Sequence, residues 1–238
     1  MCDNCGEAVC RASRVAAIAG VMFLVLFVAH RALQGAGPLQ GAEATNPSTQ
    51  AIVDYVSQHR RLLFAAEFVN GLGVLALVVF AGALTDTVRR LGAGVMAEVV
   101  LGSGLSFVGT ALIATAGQTA MAAVAPVDGS AARASFALQA YAPVTLTIAG
   151  FVIATSVALH RTGVVRRWAG VAGVVAGLLI LIGAAAQSRV ITSHFLAPKG
   201  PAALLGAALF LIWTLSVCTA LARLHPRTHR SVHSKPGS

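Results

Sequence analysis

A chain of 238 residues that is 57% hydrophobic and only 11% charged, with a mean hydropathy of +0.80, lies far from the soluble average of about 25% charged residues, which excludes a water-soluble domain and makes the bilayer its solvent. The net charge of +9 does not point to nucleic acid: the basic residues stand in pairs at the ends of apolar runs, where anionic headgroups meet them, and no basic stripe is interleaved with aromatics. Four cysteines, three of them in the first ten residues, do not make a secreted disulfide framework.

Residues 1–14, MCDNCGEAVCRASR, read as a polar amino-terminal tail. The first span is placed at 15–31, short for a crossing, with Arg14 and His30 able to snorkel to the two interfaces. A signal peptide would show the same basic flank, apolar core and small residues near Gly35–Gly37. The flank also carries Asp3 and Glu7, and no clean A-x-A site follows, so a retained helix is the preferred reading. In the long loop over 32–59, Asn46-Pro47-Ser48 signals a helix start with proline near the first helical position. Ile52, Val53 and Val56 then share one face, which predicts a short interfacial helix ahead of span two.

Span two, 62–84, is the clearest element, because Arg60–Arg61 and Arg89–Arg90 bracket about 25 mostly apolar residues, enough helix to cross about 30 Å of hydrocarbon. Span three is placed at 95–121 inside an apolar run from Leu91 to Ala125, and the excess length predicts tilt or a protruding end. Pro126, Asp128 and Gly129 form a turn. Span four, 136–159, contains Pro143, which either kinks the helix or marks where the true span begins. Trp168 stands at an interface and opens span five at 168–186, and span six covers 201–222. Residues 224–238 read as a disordered basic tail.

The fold class expected is therefore all-α, a polytopic bundle of about six spans over 15–223. Eleven basic residues fall on the side of the termini and six on the other, which holds the longest loop, so the positive-inside rule puts both termini in the cytoplasm of a bacterial plasma membrane. An echo of Ile18-Ala19-Gly20 with His30-Arg31 in Ile148-Ala149-Gly150 with His160-Arg161 suits inverted repeats. No echo links spans two and five, and the Ala/Val/Leu-rich alphabet accounts for the first.

Glu67 is the polar residue most in need of a reason, since a carboxylate a turn and a half into a span is costly unless it is protonated, paired or facing water. Asn70 shares its face. At the same level stand Thr115 and Gln118, then Gln139 and Tyr141, then Gln187 and Arg189. Together they predict an outward-facing polar cavity around Glu67. The competing reading pairs Glu67 with Arg189 or Arg61 as interhelical glue.

Glu98, on the stripe Gly94, Gly102, Ser106 and Thr110, is expected as a buried carboxylate facing another helix or reaching toward Arg89, Arg90 or Arg166. Gly173 and Gly177 form a GxxxG that reads as packing inside the chain. Cys2, Cys5 and Cys10, with His225, His229 and His233 in the other tail, could share zinc or copper. No second C-x-x-C completes a set, so no cofactor is expected. No phosphate loop, HExxH, GxSxG or mid-membrane histidine pair occurs, and no enzyme is expected.

PSTQAIVDYVSQHRRLL before span two, VVFAGALTDTVRR at its end and ALHRTGVVRRWAGVAG between spans four and five resemble an uncharacterised family of bacterial six-span membrane proteins, over Pro47 to about Gly183. Some related sequences have proline where Arg166 stands. The resemblance implies an architecture and brings no catalytic residue or ligand with it. The functions expected are a small transporter-like or ligand-sensing bundle, an accessory subunit packing through glycine stripes as a homo-oligomer or with a membrane protein partner, or metal and redox handling by the tails.

Overall fold

Helix ends in this chain are set by a few capping residues, and they divide it more finely than hydropathy does. The computed structural model describes residues 3–34, 48–141, 143–187 and 201–224. Among them are seven α-helices and no strand: α1 (Asp3–Gln34), α2 (Thr49–Arg90), α3 (Gly94–Val124), α4 (Gly129–Tyr141), α5 (Val144–Arg161), α6 (Arg167–Gln187) and α7 (Pro201–Ala222). Five of these, α1, α2, α3, α5 and α7, contain stretches long and apolar enough to cross a membrane, and α6 carries a shorter apolar stretch, Arg167–Gly183.

Ser48 caps α2, its hydroxyl oxygen accepting the Ala51 amide at 3.1 Å, which satisfies one of the orphan donors of the first turn. From there α2 runs unbroken for 42 residues, about 63 Å at 1.5 Å per residue and about twice the hydrocarbon thickness. The separate interfacial helix expected before span two is thus the first four turns of span two itself. At its other end Gly92 takes φ +87°. The Ala93 amide there donates to the Val88 carbonyl and the Gly92 amide to that of Arg89, a Schellman closure that only glycine enters at no steric cost. Gly163 closes α5 in the same way, at φ +71°.

Two expectations are corrected by the packing. Residues 1–14 are not a loose tail: from Asp3 onward they continue α1 as helix, and Cys10 and Ser13 are buried. The Cys10 thiol donates to the Leu224 carbonyl at 3.1 Å, so the start of α1 is docked on the end of α7. Span four is not one helix over 136–159; α4 ends at Tyr141, and Pro143 stands at the amino-terminal cap of α5. Proline has no amide hydrogen to give, so the start of a helix is where it costs least.

The carboxyl-terminal end of α3 is packed against α2 and α4. Met121, Ala122 and Ala125 pack with Ile52, Tyr55, Val56 and Leu63 of α2 and Ala132 of α4 in a second, smaller apolar cluster. The main core is aromatic. Phe23, Phe107 and Phe210 meet edge to face at centroid separations of 6.1–6.3 Å, and Phe80, Phe151 and Trp213 extend the group. Such contacts need shape-matched neighbours, which matters where lipid and core are equally apolar. Glycines of α6 supply the space: a Cβ on Gly173 would collide with Ser156 and Trp213, and one on Gly177 with Ile153. The GxxxG is packed inside the chain, as expected. Outward, Ile18, Val25, Phe68, Leu75, Leu105 and Ile212 are exposed, a belt that suits lipid and not water.

Candidate functional site

The carboxyl-terminal turns of α1 and α3 and the middle of α2 converge on one cavity of about 340 Å³, closed on its other sides by α5, α6 and α7. Its deep part is apolar, with Phe23, Phe27, Phe107 and Phe210 prominent, and its polar part is formed by His30, Arg31, Gln34, Asn70, Thr115, Gln118 and Thr145. The volume lies at the small end of the range for ligand pockets, about 300–1,000 Å³.

Two hydrogen-bond chains organise the polar wall. In the first, Arg31 donates to the Gln34 side-chain oxygen at 3.4 Å, and Gln34 donates to the Gln118 side-chain oxygen at 3.0 Å. In the second, Asn70 donates to the Thr115 hydroxyl at 2.7 Å, and Thr115 donates to the Ala111 carbonyl at 2.9 Å. The Arg31 guanidinium also lies over the Phe27 ring, 5.3 Å from its centroid, a cation–π placement that holds the charge beside the aromatic floor.

Glu67 stands one turn from Asn70 on α2 but is not on this wall. It is buried behind it, and neither carboxylate oxygen has a hydrogen-bond partner. The side-chain amides of Asn70 and Gln34 lie alongside without well-directed bonds. Its nearest ionisable neighbour is His30, whose Nδ1 is 3.9 Å from Oε1 while that same nitrogen donates to the Ala66 carbonyl at 3.0 Å. The cavity is lined by Asn70, Thr115 and Gln118 together with Arg31 and Gln34, and Glu67 is not among its lining residues. Pairing of Glu67 with Arg189 falls outside the described residues, as do Arg189 itself and the side chains of Gln139, Tyr141 and Gln187.

Sequence reasoning missed the contribution of α1. His30, Arg31 and Gln34 at i, i+1 and i+4 put two of the three on one helical face, a signal obscured because a charged pair at a span end reads as an interfacial anchor. Glu98 is not a buried carboxylate: its side chain is 63% exposed and reaches Arg89, itself half exposed, at 2.7 Å, the second of the two expected readings. The stripe on which it stands meets a described helix at its far end, where the Thr110 hydroxyl is 2.7 Å from that of Thr147 on α5. Gly102 and Ser106 are exposed, and no atom lies within 4 Å of where a Cβ on Gly94 or Gly102 would stand.

The cysteine and histidine tails gain little. Cys10 is buried with its thiol engaged by Leu224, Cys5 lies in α1 with its side chain outside the description, and Cys2, His225, His229 and His233 fall outside the described residues. Among the described residues no group of three His, Cys, Asp or Glu side chains could hold a metal ion.

Comparison with protein-family models, with curated proteins and with solved structures finds no match. The cavity has to be interpreted from its own chemistry.

Proposed function

We propose that this protein is a non-enzymatic, multi-pass protein of the bacterial plasma membrane that takes a small amphipathic molecule into the cavity between α1, α2, α3, α5, α6 and α7, as a transporter-like or ligand-sensing bundle. In this reading α6 completes six crossings, the termini are cytoplasmic and the polar end of the cavity opens outward. The observation that carries it is the division of one cavity into an aromatic floor and a hydrogen-bonded polar wall drawn from four helices. A core that served packing alone would fill such a space with apolar side chains, since polar groups at membrane depth are costly.

Native mass spectrometry of the protein released gently from its own membrane tests this. A monomer or dimer with a reproducible extra mass of a small molecule is expected. Bare protein, or protein found only in complex with another chain, overturns the reading.

A second reading, an accessory subunit or homo-oligomer, is favoured by a different face. On α3, Gly94, Gly102, Ser106 and Gly109 are exposed together, and the three glycines have nothing within 4 Å of a built Cβ. Small residues at such spacing let a second helix approach closely. The same spectrum separates the two readings through the mass of the assembly.

A further inference from the structure

Resting on the cavity reading above, the donor and acceptor count on the polar wall says what kind of headgroup belongs there. In each hydrogen-bond chain the side-chain oxygens already accept one bond within the wall: the Gln34 oxygen from Arg31, the Gln118 oxygen from Gln34 and the Thr115 oxygen from Asn70. A primary amide has one oxygen and two N–H groups, and a guanidinium has five N–H groups and no acceptor. Among the described residues the wall therefore offers a ligand donors in excess, the further N–H groups of Arg31 and the amide nitrogen of Gln118, while the Asn70 amide lies beside Glu67. Glu67 attracts Arg31 through space but is not among the lining residues, so the Arg31 N–H groups on the wall remain open to a ligand.

We propose that the cavity binds a single-chain amphiphile with an oxyanion headgroup, a medium-chain carboxylate being the simplest example. The headgroup accepts from Arg31 and Gln118, and the chain lies on Phe23, Phe27, Phe107 and Phe210. Charge-assisted bonds to a planar guanidinium are the stronger kind and match a carboxylate in geometry. A two-chain phospholipid does not fit a space of about 340 Å³.

Trp213 provides the reporter. It stacks on Phe210 at 6.2 Å between centroids, and Phe210 lines the floor. The only other tryptophan, Trp168, is exposed at the start of α6 and is removed by Trp168→Phe. The probes are an alkyl carboxylate, the matching primary alcohol and the matching primary amine, each brominated at the far end of the chain, because bromine quenches indole emission on near contact. Saturable quenching of Trp168→Phe by the carboxylate is expected, at least about tenfold tighter than by the alcohol or the amine, the size of effect that hydrogen bonds to a charged group supply. Arg31→Gln should bring the carboxylate down to the alcohol.

Equal binding of all three, or preference for the amine, overturns the headgroup inference and leaves the cavity reading standing. No saturable quenching by any of them overturns both. If Arg31→Gln does not fold, the ranking of the three probes on Trp168→Phe decides the matter alone.

Discussion

Gln34 and Gln118 are 84 positions apart, yet the amide of the first donates to the side-chain oxygen of the second at 3.0 Å, tying the end of α1 to the end of α3 across the polar wall. In a membrane protein such a bond is worth about 0.6 kcal/mol on average and up to about 1.7. A double-mutant cycle with Gln34→Ala and Gln118→Ala, followed by reversible unfolding in mixed micelles, should give a coupling energy in that range. Additive single-variant effects would show that the two amides do not act as a pair.

Glu67→Gln should express and remain monodisperse, with a thermal midpoint no lower than the parent. The substitution keeps shape and removes a charge that finds no hydrogen-bond partner in its buried site, and burial of such a group is costly. Because Glu67 is off the cavity wall, the variant should also retain probe binding. Lost binding with an intact fold would bring the carboxylate into the site after all.

The two kinds of glycine separate cleanly by substitution. Gly173→Leu drives a side chain into Ser156 and Trp213 and should destabilise the bundle by about 1–3 kcal/mol or prevent folding. Gly102→Leu points into open space and should leave the isolated chain's stability unchanged. A loss of assembly mass in Gly102→Leu, without a loss of stability, would identify the α3 face as an interface.

Arg89 and Glu98 are joined at 2.7 Å, but their side chains are 50% and 63% exposed, and screening reduces such pairs to at most about 1 kcal/mol. Arg89→Ala and Glu98→Gln should each leave the unfolding midpoint nearly unchanged. A large loss from either would mean the pair is covered in the assembled protein.

Asp128 gives an acid-dependent helix start. The Ser130 hydroxyl and the Ala131 and Ser130 amides donate to its carboxylate and hold it below the ordinary carboxyl value of 3.8. A folded value below the unfolded one adds stability above the unfolded value, and that contribution is lost as pH falls through the folded value. The protection of amides in the first turn of α4, taken relative to the intrinsic exchange rate at each pH, should therefore fall below about pH 4. In Asp128→Asn the cap persists without a charge and the acid dependence should vanish; an unchanged profile would assign it to another group.

Much of the architecture was legible because its signals are local. Arg89–Arg90 marked the end of α2, although Arg60–Arg61 stand inside it, Asn46-Pro47-Ser48 announced a helix start within two residues of the observed one, and Pro143 offered two outcomes of which the structure takes the second. What was not legible depends on which helix lies beside which. Cys10 and Ser13 look like tail residues until Leu224 is placed against them, and Arg31 looks like an anchor until Gln34 and Gln118 close a wall around it. Glu98 shows the reverse: its stripe of small residues suggested burial, but helical periodicity in a membrane marks lipid-facing and protein-facing sides by nearly the same apolar alphabet.

The unbroken course of α2 has a mechanical consequence. From Ser48 to Arg90 it contains no proline, so one common cause of a sharp bend is absent from the wall bearing Asn70. The interruption between α4 and α5 at Pro143 falls beside Val144 and Thr145, which line the same cavity. On that side the cavity is therefore bounded by the start of a helix and not by the middle of a continuous one.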